Sequence, residues 1–460
     1  MDEQKYNLDQ SLAELDKLLD LSAEETDKTA CEALAEKARI IYEQYPESED
    51  IALRYARILF NLSVEQGNVE ELLNTANSIK QIFELFKQSE DIALHYARTL
   101  VNLSVEQGNV EELGQTVNSV KQIFEQFKQS ENIALRYAIV LVNLSAKQIN
   151  VEERNNTANL VKEIFEQFKQ SEDIALRYAM VLYNLSNRQN DVEERKETIS
   201  EIETLTLKFQ HSENIALQHA TALVNLSAKQ INVEERNNTA NLVKEVFEQF
   251  KQSEDIALQY AMVLYNLSNR QNDIEERKKT ISDLEALTSK FQHSENIVLQ
   301  YATALVNLSA KQINLEERNN TANLVKEIFE QFKDSEDIAL QYAMVLVNLS
   351  IKQVNIEELV DTVNSVKKIF EQFKQSEDIA LRYAMVLVNL SAEQVNVEEL
   401  ADTVNSVKKI FEQFKQSEDI ALRYAMVLVN LSAEQVNVEE LADTVNSVKK
   451  IFEQFKQSED

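Results

Sequence analysis

An isoleucine at position 51 recurs at Ile92, Ile133, Ile174, Ile215, Ile256, Ile297, Ile338, Ile379 and Ile420, always 41 residues on, with no insertion or deletion. A fixed period of this length marks an array in which each unit buries its apolar face only against its neighbours. Gly 3 and Pro 1 leave almost no punctuation for sheets or long loops. The expected fold is therefore all-α: an α-solenoid of antiparallel helix pairs forming an elongated superhelix.

Residues 51–460 divide into ten tandem repeats of 41 residues. Residues 1–50 read as an N-terminal lead-in and capping repeat. Residues 1–9 are polar, and Asp20-Leu21-Ser22 falls 41 residues before Asn61-Leu62-Ser63. In this worn copy Glu14, Asp16 and Lys17 stand where later repeats are apolar, as suits a face turned to water.

Each repeat reads as two helices. Helix A opens at Ser48, an N-cap followed by Glu49 and Asp50, which favour the positive helix start. Helix B opens at Asn68, with Glu71 three residues later in a capping-box pattern. Helical spacing assigns Tyr55, Leu59, Leu62, Ile79, Phe83 and Phe86 to the core.

A net charge of −31 opposes a general grip on nucleic acid or on an anionic membrane surface. The first residues lack an apolar signal region, and a single cysteine forms no internal disulfide, so a cytoplasmic setting is expected. His211 and His293 share one slot two repeats apart, too far for a common metal, and His219 replaces a core tyrosine. No phosphate loop or nucleophile motif is present, and paired glutamates recur at helix starts, where capping explains them. The expectation is a protein that is not an enzyme and takes no cofactor and no metal.

Asn-Leu-Ser occurs ten times, matching a glycosylation acceptor but lying inside helix A. Asparagine disfavours helix interiors, so its repetition needs a cause. Helix positions seven apart lie about 20° from one another, which sets each asparagine on one face with an Arg or Gln. The resulting ladder runs through Arg136 and Asn143, Arg177 and Asn184, Gln218 and Asn225, Gln259 and Asn266, Gln300 and Asn307, Gln341 and Asn348, and Arg382 and Asn389. Such a row suits the main chain and carboxylates of an extended peptide. The alternative is structural: amides bonding one another or backbone carbonyls between repeats.

Helix, turn, helix, turn, with Ala52, Tyr55, Ala56 and Leu59 alternating small and large residues and Pro46 ahead of Ser48, resembles the tetratricopeptide-type repeat. That resemblance implies protein–protein recognition on the concave side lined by the A helices. The expected function is thus a protein- or peptide-binding scaffold. A second expectation is an assembly or filament subunit associating end to end, since the sequence stops where a further helix A would begin. This would leave Val445, Val448, Ile451 or Phe455 partly exposed.

Overall fold

The computed structural model describes residues 2–455, with side chains from residue 7. By its internal contacts the chain divides into two compact units, Met1–Leu226 and Ser227–Asp460. The described residues form 22 helices and no strand. A leading pair, α1 (Asp2–Glu24) and α2 (Lys28–Gln44), is followed by α3 (Glu49–Val64), α4 (Val69–Leu85), α5 (Glu90–Glu106), α6 (Val110–Gln126), α7 (Glu131–Lys147) and α8 (Val151–Gln167). Next come α9 (Glu172–Ser186), α10 (Val192–Lys208), α11 (Glu213–Lys229), α12 (Val233–Gln249), α13 (Glu254–Ser268), α14 (Ile274–Lys290), α15 (Glu295–Lys311) and α16 (Leu315–Gln331). The last are α17 (Glu336–Ser350), α18 (Ile356–Gln372), α19 (Glu377–Glu393), α20 (Val397–Gln413), α21 (Glu418–Glu434) and α22 (Val438–Gln454). From α3 onward, odd numbers are A helices and even numbers B helices. Each unit is a stretch of α-solenoid.

The cap residues act as their chemistry dictates. Ser48 Oγ accepts the Ile51 amide, and Asn68 Oδ1 accepts that of Glu71 at 2.9 Å. Where aspartate replaces asparagine, at Asp191 and Asp273, one carboxylate oxygen accepts two amides of the first turn. The polar lead-in is itself helical, because α1 already begins at Asp2.

Within each unit consecutive A helices pack side by side. The B helices rest on their own A helix and on that of the next repeat, and among the described residues consecutive B helices stand further apart, meeting through side chains such as Lys162 with Glu201 at 3.1 Å and Lys278 with Glu317 at 3.0 Å. Close A spacing against open B spacing places the A helices on the inner side of each unit's curvature.

Tyr55, Leu59, Leu62, Ile79 and Phe83 are buried as expected, whereas Phe86 is half-buried at the end of α4, closing its last turn. Its place in the core is taken by Ile82, 2% exposed. Aromatic rings link successive repeats: Phe83 meets Tyr96, Phe165 meets Tyr178 and Phe411 meets Tyr424, with centroids 6.1, 5.8 and 5.6 Å apart. On α22, Val445 is exposed and Val448 and Phe455 are half-buried, but Ile451 is buried, because its slot faces the A helix of its own repeat. Phe452 occupies the ring-stacking slot of Phe411 and is 63% exposed.

Candidate functional site on the A helices

The ladder asparagines are half-buried on the A helices, and their amides reach the preceding repeat. Asn143 Nδ2 donates to Ser104 Oγ at 2.8 Å, and Ser104 Oγ donates to the Val101 carbonyl at 2.6 Å. The same relay joins Asn61 to Ser22, Asn102 to Ser63, Asn184 to Ser145, Asn266 to Ser227, Asn348 to Ser309, Asn389 to Ser350 and Asn430 to Ser391. Asn225 and Asn307 turn instead to Asn187 and Asn269, residues that follow Asn-Leu-Ser in the preceding repeat. Each asparagine thus has a structural task between repeats. For all but Asn225 and Asn307 the partner is the serine of the same motif, overlooked in the sequence. A buried hydroxyl repeated in every A helix was the signal available.

The Arg and Gln members of the ladder are also half-buried, and they behave differently. Arg54 is paired with Asp16 at 2.6 Å. The Nε atoms of Arg136, Arg177, Arg382 and Arg423 are shielded from solvent and lack a hydrogen-bond partner, as does Gln341 Oε1. Arg177, Arg382 and Arg423 place a terminal nitrogen 3.3 to 3.4 Å from the sulfur of Met180, Met385 or Met426. Burial lowers the pKa of Arg136, and the charges of Arg98 and Arg177 lower it further. Burial likewise lowers that of Arg177, with Asp173 opposing. Gln218, Gln259 and Gln300 continue the row without charge.

His95 occupies the same slot on α5 and was missed as a member of the row. Burial, with Arg98 and Arg57 adding to it, brings its pKa down to about 4. Arg98 lies over the Phe60 ring at 5.5 Å, so the inner face of unit 1 carries Arg57, Arg98, Arg136 and Arg177 within a strongly acidic chain.

Other guanidiniums are more deeply buried and are satisfied. Arg154, near the start of α8, is 4% exposed. Its Nε donates to the Gln148 carbonyl at 2.7 Å, and its terminal nitrogens donate to the carbonyls of Ala146 and Asn184. It therefore ties the C-terminal ends of two successive A helices, where the helix dipole favours a cation. Arg236 does the same with Gln230, Ala228 and Asn266. Leu72, Leu113, Leu359 and Leu400 hold this slot in the outer repeats, each fully buried.

His211 and His293 are exposed and His219 is buried. Between α12 and α14 a cleft of about 560 Å³ opens over Tyr260 and Leu264, with Lys244, Lys279, Glu276 and Asp283 presenting both signs of charge. Among the described residues no cluster of three or more His, Cys, Asp or Glu side chains is placed to hold a metal. No described helix is long and apolar enough to cross a membrane.

Fold and inner face together define a helical-repeat protein. No family model matches the chain, and no curated protein matches its sequence. A chain from a solved structure concerning a conserved phosphorylation switch in the interaction between cadherin and beta-catenin aligns with it at 12% identity. The alignment covers 96% of this chain and 99% of that one, with a TM-score of 0.43. At that score the likeness carries no argument about function.

Proposed function

We propose that this chain is a non-enzymatic scaffold that holds an extended segment of another protein against its A helices, a tetratricopeptide-like use of the fold. One contrast carries the reading. Arg154 and Arg236, which serve the fold, donate from all three guanidinium nitrogens, whereas Arg136 and Arg177 on the inner face keep a shielded Nε without a partner. A shielded donor left unbonded costs stability, so a bound segment towards which the half-buried side chain turns, and which accepts from it, would recover that cost. The row is also rigid, being built on packed helices rather than loops.

Selection of random extended peptides against the intact chain tests this. Selected peptides should lose binding when Met180→Trp and Thr221→Trp fill the inner face, and keep it when Asn155→Trp is placed on α8. Equal loss from both sets of variants, or no selected binder, would overturn the reading.

A further inference from the structure

The inner face of unit 1 is the opposite of the chain around it. Across the protein, Asp+Glu 78 outnumber Lys+Arg 47. Yet Arg98, Arg136 and Arg177 lie on consecutive A helices, α5, α7 and α9, close enough for Arg136 to feel the charge of both others. Among the described residues no carboxylate comes within ion-pair distance of Arg136 or Arg177, although Arg54, at the same slot on α3, has taken Asp16. Asp173 acts on both from a greater distance. From α11 to α17 the slot turns to Gln218, Gln259, Gln300 and Gln341, so the guanidinium is not required for A helices to pack.

Resting on the peptide-binding reading above, we infer that the inner face of unit 1 selects an acidic peptide segment, with Arg98, Arg136 and Arg177 each receiving a side-chain carboxylate. An ionised acceptor is the partner a shielded guanidinium donor bonds most strongly, and the guanidinium fork matches a carboxylate in two parallel bonds. Spacing agrees. Packed helices lie about 8–10 Å apart, and a polyproline II chain advances about 9 Å in three residues, returning to the same face. An acidic residue at every third position would thus meet successive arginines. A long polyanion such as nucleic acid would extend past this patch into an acidic surface and be repelled there.

The test uses the full chain and a labelled peptide of Pro-Thr-Glu repeats, with Pro-Thr-Gln repeats as its neutral counterpart, read by fluorescence anisotropy. Arg136→Gln with Arg177→Gln installs the residue the chain already carries at Gln218 and Gln259, and circular dichroism checks that the helices persist. The double variant should weaken the acidic peptide by about tenfold or more, and added salt should weaken the intact chain more than the variant. Lys121→Gln with Lys162→Gln, which removes as many charges from exposed positions on the B helices α6 and α8 of the same unit, should change the affinity less than twofold. Equal binding of the Glu and Gln peptides to the intact chain would overturn the acidic preference while leaving the scaffold reading in place. Failure of both peptides together with an empty peptide selection would end both. Equal or tighter binding of a single-stranded DNA oligonucleotide, lost in the same variant, would replace the acidic peptide with polyanion binding.

Discussion

Asn143 donates to Ser104 at 2.8 Å across two successive A helices, and the serine passes the bond on to a carbonyl of its own helix. The pair makes Asn-Leu-Ser a joint: the asparagine of one repeat is written for the serine of the one before. Both residues are polar in a largely apolar layer, and each satisfies the other.

The joint predicts a stability effect. Asn143→Ala with Asn184→Ala removes two inter-repeat bonds, at about 1 kcal/mol each. Native-state hydrogen exchange should show the amides of α7 and α9 opening more readily, by about 2 kcal/mol in sum, with distant repeats little changed. Unchanged protection across α5 to α9 would show that the relay does not hold the helices together.

Arg154 allows a sharper test, because other repeats have already made the substitution. Arg154→Leu restores the residue found at Leu72 and Leu113 and should leave stability within about 1 kcal/mol, since an apolar side chain of similar size can replace a buried charge at little cost. Arg154→Ala leaves a void and loses all three carbonyl bonds, and should cost about 3 kcal/mol or more. Urea unfolding followed at α8 would separate the two. Equal losses would mean that the guanidinium, rather than its bulk, is what the slot requires.

His219 predicts a pH dependence. Its ring is 4% exposed in a slot where most repeats hold tyrosine, and burial lowers its pKa to about 4. An unfolded chain binds that proton near pH 6.5, so the unfolded state holds more protons between about pH 6.5 and 4. The stabilising difference is complete above pH 6.5 and declines as the pH falls towards 4, by up to about 3 kcal/mol. His219→Tyr should remove this share of the acid loss. The His95 slot, lowered in the same direction, should retain its own. Parallel acid-unfolding curves for the intact chain and the variant would refute the assignment.

The period alone determined the class of fold. Ile51 and its copies, the Ser and Asn caps, and the small–large alternation around Ala52 and Tyr55 fix helix length, helix start and buried face through local rules, and the structure follows them. Local spacing also gave the face shared by Arg136 and Asn143, because seven residues always span nearly two turns. What it could not give is the register of one A helix against the next. Only that register sets Asn143 against Ser104, 39 residues away in the chain, and gives the asparagine a partner inside the protein. The same stacking carries Arg154 across to Asn184, while Arg136 and Arg177 are left without a carboxylate. Within one repeat Arg136 and Arg154 are simply two arginines on two helices. Their difference arises because neighbouring repeats bring carbonyls to one and none to the Nε of the other, which is decided by packing rather than by sequence period.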